Sequence, residues 1–420
     1  MTTSTVPAAN AGLQDRVSRF YALDEELLAD PYALYREMRE AQPVMRVGNV
    51  VAVARYDDVK AIFRDPRAFS SNRAQGTRVT RKRAGLEGSA LDKYDALLRH
   101  ERGQISLNDM PEHTRLRRFV SAVFSPAAVA GMRGAATATA GQLLDDLELS
   151  GQEPFDLTEF SYRLPFLMVC RMLAIPSPEV AAFRTWARAL RRGLGTNWEN
   201  LDEAHAAIRH IEEFVRGLIA ERRSGALTGA RDLVASLIAA EVDGTRLTDQ
   251  ELVTMFTLML TSGNTNDMIA NAVIALTDWP GQRALLLDDP ARMRNAVEEF
   301  FRYCPSVHGV HRVAAADCEI AGFAVQAGET VRLMVASANH DPGKFPDPER
   351  LDLTRPNARE HVDFGFGIHT CLGQWLARLN IETALTALLE RVPQVRAVQP
   401  VRYRREYNFR GPERLLATAS

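Results

Sequence analysis

Residues 364–373 read Phe364-Gly365-Phe366-Gly367-Ile368-His369-Thr370-Cys371-Leu372-Gly373, and Gln374-Trp375-Leu376-Ala377-Arg378 follows directly. This is a glycine-punctuated loop entering a helix. Gly365 and Gly367 permit backbone conformations that a side chain forbids. Successive N–H groups can then turn toward one point, and Cys371 sits there, where the helix begins. Inward N–H groups and a helix N-terminus both favour a thiolate. A thiolate so placed is a good axial ligand for heme iron, and it pushes electron density toward O–O cleavage. Competing readings are weaker. A dinucleotide loop needs a third glycine where Thr370 stands. His369 and Cys371 as metal ligands lack a second pair. A buried structural thiol is the plain reading of any lone cysteine. It suits Cys170 and Cys304 better than Cys371.

The chain has 420 residues, 46% apolar and 25% charged. That allows two or three average domains or one large enzyme fold. The 51 basic and 53 acidic residues give a net charge of −2, which points to neither nucleic acid nor an anionic membrane. The four cysteines, Cys170, Cys304, Cys318 and Cys371, form no C-x-x-C pair. They read as reduced thiols of a cytosolic protein, with no disulfide framework and no zinc site. Met1 to Asp15 is polar and lacks the basic start and apolar core of a signal peptide. The most apolar stretch, Leu252–Leu276, is interrupted by Ser262, Gly263, Asn264, Asn266 and Asp267, which argues against a membrane span. A cytoplasmic location is expected.

Residues 1–25 read as a loose lead-in, and residues 26–420 as a single domain. Asp30-Pro31 opens a short amphipathic helix through Glu40. Val44–Ala54 reads as a strand pair turning at Gly48-Asn49, and Tyr56–Phe63 as a short helix. Residues 70–108 read as a long irregular loop, of the kind that is functional or mobile. The basic run Arg78–Arg83 within it reads first as a solvated face. From Pro111 to about Glu241 the period is helical. After Leu247-Thr248-Asp249 the longest helix is expected to run to about Thr277, spanning roughly 40 Å. A helix over Ala291–Tyr303 precedes a β-like stretch, Val313–Val335, with its turn at Ala327-Gly328. Residues 337–363 form a Pro- and Asp-rich meander, Gln374–Arg391 a helix, and the C-terminus from Val401 short strands. The class is mainly α with a small β region.

The cysteine segment resembles the heme-binding signature of cytochromes P450, Phe-Gly-x-Gly-x-His/Arg-x-Cys-x-Gly, and every fixed position matches. Three further blocks resemble the family in its own order, so the likeness runs from about residue 30 to the end. In Asp109-Met110-Pro111-Glu112-His113-Thr114-Arg115-Leu116-Arg117-Arg118, His113 and Arg117 share one helix face and suit a heme propionate. In Glu299-Phe300-Phe301-Arg302, the family's buried Glu–Arg pair engages a meander arginine, here Arg355, and holds the scaffold of the cysteine loop. Arg312, in His311-Arg312-Val313-Ala314, and His361, before Asp363-Phe364-Gly365, match propionate positions. The resemblance implies the cytochrome P450 fold and heme b (iron protoporphyrin IX). It implies cofactor contacts from His113, Arg117, Arg312, His361, Phe364, His369, Cys371 and Gly373, with Cys371 on the iron.

The long helix departs from the family. Typical members carry Ala-Gly-x-Asp/Glu-Thr, whose acid and alcohol deliver protons for dioxygen activation. This chain reads Thr261-Ser262-Gly263-Asn264-Thr265-Asn266-Asp267. Counting forward from Glu251 puts Asn266 at the alcohol position. Counting back from Pro280 puts Asn264 there. The acid position falls on Thr265 or Gly263. Two readings stay open. An asparagine with an ordered water replaces the threonine, or proton delivery is lost and the chemistry is peroxide-driven or an atypical oxidation such as coupling or nitration. Asp267 is a further acid, reached by another path.

The expected reaction inserts one oxygen atom into a small organic substrate. Electrons come from NAD(P)H through a ferredoxin reductase and an iron–sulfur ferredoxin, which docks on the cysteine side with help from Arg115 and Arg118. Substrate-facing positions by analogy are Ser262, Gly263, Val307, His308, Val310 and Tyr407, with the loop 73–107, although His308 reads first as a structural histidine. No nucleic-acid or membrane partner is expected, and the chain is read as a monomer.

Overall fold

The hairpin around Gly48-Asn49 starts the larger of the sheets. Val44–Val47 and Val50–Val53 pair antiparallel, Val44 opposite Val53. Val50–Val53 then pairs in parallel with Thr330–Leu333, which pairs antiparallel with Val310–Ala314 and through it with Phe69–Ser70. Val51, Val53, Val331 and Leu333 are fully buried, as β-branched and apolar residues of a covered sheet should be. This sheet carries Arg312 to the wall of a central cavity. The computed structural model describes residues 8–73, 76–147, 154–191, 200–224, 233–261 and 263–419.

Helices make up most of the rest. Thr265–Asp278 is buried over every residue from Asp267 to Leu276, the pattern of a core helix rather than a surface one. It packs between Thr158–Met172 and Gln374–Arg391. Two strand fragments, Phe155–Asp156 and Arg396–Ala397, flank Leu416–Thr418 in a second sheet. Among the described residues, no single helix is long and apolar enough to cross a membrane.

Three sequence expectations need correction. Residues 8–21 of the lead-in are a helix. Its Leu13, Val17 and Phe20 pack on Tyr35, Met38 and Met45. That apolar spacing is helical, but the flanking Ala, Thr and Asn content masked it. The supposed loop 70–108 holds two helices, Thr77–Ala84 and Gly88–Arg102, whose many charged residues hid the apolar face of Tyr94, Leu97 and Leu98. The long helix is broken. It runs as Asp249–Thr261 and Thr265–Asp278. Glycine and asparagine at 263–264 are poor helix formers. The Asn264 carbonyl restarts the helix by accepting N–H groups of Asp267 and Met268 at 3.1 and 3.3 Å.

Behind the cysteine loop, the Glu299 and Arg302 side chains have no exposed surface. Glu299 takes two bonds from Arg302, at 2.7 and 2.8 Å, and one from Arg355 Nε at 3.1 Å. Both arginines spend their other donors on meander carbonyls between residues 339 and 350.

Candidate functional site

Gly365 and Gly367 have φ of +67° and +75°, in the left-handed region that excludes most side chains. A Cβ at Gly367 would also lie 2.7 Å from the Phe63 carbonyl oxygen. The loop therefore closes tightly, with the Cys371 N–H donating to the Phe364 carbonyl at 2.9 Å and Thr370 N–H to Gly367 at 3.2 Å. The helix begins at Gln374, just past Cys371 and Leu372, with Gly373 as its cap. Burial raises the Cys371 thiol pKa, against the pull of the Gly373 N–H, Arg117 and Arg378. Coordination to a metal ion removes such a proton outright.

Cys371 opens onto a cavity of about 990 Å³. Its other walls bring together His113, Arg117, Arg312, His369, Phe364 and Gly373. The break in the long helix contributes Gly263, Asn264, Thr265, Asn266 and Asp267, and Val307, Val310 and Tyr407 line the cavity as well. Ser262 lies outside the described residues.

His113 Nδ1 and His369 Nε2 are buried without a hydrogen-bond partner, and the two rings are 4.1 Å apart. Among the described residues no carboxylate lies within ion-pair distance of Arg117 or Arg312. Burial, then neighbouring positive charge, lowers His113 to about 4 and His369 to about 3. Burial and Arg73 lower Arg312 to about 10, and burial lowers Arg117 as well. Such a cluster of enclosed donors is suited to anions.

His361 and His308 do not belong to this cavity. His361 donates Nε2–H to Glu298 at 3.2 Å and accepts the Asp363 N–H on Nδ1, which fixes its tautomer. Glu298 in turn takes Arg378 Nε and Nη2 at 2.7 and 2.9 Å. The expected propionate contact is thus a strut between the Glu298 helix and the cysteine helix. His308 is buried and pairs its Nδ1 with the Tyr35 hydroxyl at 3.0 Å, so it is a core residue rather than a substrate contact. Arg115 and Arg118 are also committed, to Glu112 and Glu251 and to Asp243. Their charge is offset, and they form no unopposed basic patch.

The Glu298 strut carries a pH prediction. Burial alone would raise its carboxyl, but bonds from His361 and Arg378 lower it from 4.5 to about 2. A depressed folded-state value stabilises the fold above 4.5, and that contribution disappears as pH falls toward 2. Glu298→Gln should be less stable than the parent at neutral pH, with the gap closing across that window. Thermal melts against pH check this, and a gap constant over the window would refute it.

The distal acid has a partner that sequence reading missed. Asp267 is buried, accepts the Asn266 amide at 2.7 Å and the Arg404 guanidinium at 2.6 Å. A Cβ at Gly411 would lie 2.5 Å from Asp267 Cγ, so only glycine lets the C-terminal loop close on the helix here. Nothing local in the sequence links positions 137 residues apart. Asn264 Oδ1 is buried and unpartnered beside the break.

A sequence profile described as Cytochrome P450 matches residues 291–393. Cytochrome P450 monooxygenase PikC of Streptomyces venezuelae is 32% identical over 404 residues, covering 94% of this chain and 89% of that protein. The chain belongs to the cytochrome P450 family. Nocardicin C N-oxygenase of Nocardia uniformis subsp. tsuyamanensis is 34% identical over 417 residues, covering 96% and 98%. The solved structure of the P450 PksS of the Bacillus subtilis 168 bacillaene polyketide synthase has 28% identity and a TM-score of 0.83, covering 95% of this chain and 99% of that one. The protein is an oxidoreductase, a cytochrome P450 monooxygenase with heme b as cofactor. The cavity fits that group. Heme b brings two carboxylates and an iron that takes a thiolate. The cavity offers two partly buried guanidinium groups, two orphaned imidazole nitrogens and one thiol.

Proposed function

We propose that Cys371 ligates the heme iron, that His113, Arg117, Arg312 and His369 hold the propionates, and that Phe364 and Gly373 support the ligand loop. The reaction inserts one oxygen atom from O2 into a small organic substrate, with electrons from an iron–sulfur ferredoxin and its NAD(P)H-dependent reductase. Heme held by a thiolate supplies the oxidising power for such chemistry. The chain's own residues bind the substrate, exclude water and move protons. Val307, Val310 and Tyr407 shape the substrate wall. A docking face beside the cysteine loop is supported by Trp375, which is 42% exposed, and by Lys60 and Arg64 stacked on Phe366.

The observation that carries the dioxygen-dependent reading is the Asp267 site. The family's acid–alcohol pair is missing, yet a carboxylate still stands at the helix break. Arg404, whose side chain is 32% exposed, links it toward solvent. Asp267 is the proton carrier in this reading, Asn266 orients it, and Asn264 and Thr265 hold water beside it.

Asp267→Asn keeps the size and one acceptor oxygen for Arg404, though not the ion pair, and it cannot carry the proton. Ferredoxin-driven turnover should fall about 100-fold, with an enlarged solvent isotope effect and an unchanged thiolate spectrum of the reduced carbon monoxide complex. Unchanged turnover would overturn the role of Asp267. Product formed only with hydrogen peroxide, equally in parent and variant, would instead assign a peroxide-driven or coupling enzyme.

A further inference from the structure

Arg73 is left over from the cofactor set. It follows the edge strand Phe69–Ser70, which pairs with the strand carrying Arg312. Its side chain lines the cavity beside Ser71, Ile105 and Ser106. Its Nε is buried with no hydrogen-bond partner, and among the described residues no carboxylate comes within ion-pair distance of it. The acids nearby are accounted for. Asp109 accepts the Ser70 hydroxyl and the Ser71 N–H. Glu101, at the end of helix Gly88–Arg102, interacts electrostatically with Arg73 without a direct bond. One Glu101 oxygen is itself buried and unpartnered. Burial raises the Glu101 carboxyl to about 7, against the pull of Arg73, so it offsets that charge only in part.

Two propionates can be met by the two guanidinium and two imidazole groups already assigned. A third guanidinium on the cavity wall, its Nε buried and unpartnered, then calls for an anion from another source. We infer that Arg73, backed by Glu101, forms an anion-binding corner that anchors a carboxylate of the substrate. The inference rests on the heme-thiolate reading above. It narrows the substrate class to organic acids whose reactive carbon or heteroatom lies some distance from the carboxylate.

The test needs no knowledge of the natural substrate. Imidazoles ligate heme iron and shift its absorption, so a tether from imidazole samples the cavity wall. Purified ferric holoprotein is titrated with ω-(imidazol-1-yl)alkanoic acids of graded chain length and with their methyl esters. At the length that reaches Arg73, the acid should bind about tenfold or more tightly than its ester. Arg73→Gln should remove that preference and leave ester affinity unchanged, Arg73→Lys should retain part of it, and Glu101→Gln should keep or strengthen it.

No acid preference at any length in the parent would overturn the inference, as would a preference that survives Arg73→Gln or vanishes in Glu101→Gln. Loss of heme from Arg73→Gln would assign Arg73 to the propionates instead and overturn it too. Plain imidazole separates the two readings. No shift with imidazole itself refutes the heme site, whereas a normal shift without an acid–ester difference refutes only the Arg73 corner.

Discussion

Cys371→Ala should abolish the thiolate absorption signature of the reduced carbon monoxide complex and stop turnover, while the chain keeps its fold. The reason lies in how the loop is held. Its closure depends on backbone groups, the Cys371 N–H on Phe364 and the Thr370 N–H on Gly367, and on Gly367 lying against the Phe63 carbonyl. None of these uses the sulfur. The thiol itself meets the Gly373 N–H and opens onto the cavity, and the bonds that close the loop do not depend on it. An alanine there removes only the soft anionic ligand. The residues proposed for the propionates remain, so heme uptake should fall without being lost, and any heme that binds would lack the thiolate signature. The check is the carbon monoxide difference spectrum of the variant, with circular dichroism to verify the fold. A normal thiolate spectrum in that variant would sink the central assignment.

Legibility in the sequence followed how local each signal was. The cysteine loop was readable because its glycines, cysteine and helix start lie within ten consecutive positions. Helix Gln374–Arg391 has the bounds that its pattern predicts. His113 and Arg117 could be paired because one helix turn sets their spacing. The failures were non-local. His361 sits near the cysteine loop in sequence, but its ring is turned to Glu298 by a bond across 63 positions. His308 lies beside cavity-lining Val307, but Tyr35 holds it in the core, as its structural reading has it. The break at Gly263-Asn264 was visible as composition, but the apolar period on either side suggested one continuous helix. Which acid stands at that break, and that Arg404 holds it, depends on the C-terminal loop folding back across the helix. Arg73 was hidden among the charged residues of a segment read as a loop. Its meaning comes from enclosure, which a sequence does not display.

Glu299→Ala should be the most destabilising single change outside the cysteine loop, costing about 3–5 kcal/mol. Glu299 and Arg302 have no exposed side-chain surface, and Arg355 is nearly as buried. The carboxylate is shared by both arginines and also accepts the Asp352 N–H at 3.1 Å. Its removal leaves two buried guanidinium groups facing each other without a counter-charge, and a meander N–H without an acceptor. The comparison that isolates burial is Arg36→Ala. That residue pairs with Glu349 at 2.6 Å, but both side chains are 49% exposed, and solvent screening limits such a pair to about 1 kcal/mol or less. Denaturant unfolding of both variants, followed by circular dichroism and by heme absorption, gives the measurement. If Glu299→Ala costs no more than Arg36→Ala, the scaffold role fails. If it costs several-fold more and heme absorption is lost at a lower denaturant concentration than helicity, the pair is shown to brace the meander and the cysteine loop. The same mechanism explains why a charged cluster is kept in a core where apolar residues would pack. Arg302 and Arg355 together tie five carbonyls of an irregular segment, and no apolar side chain can donate to them.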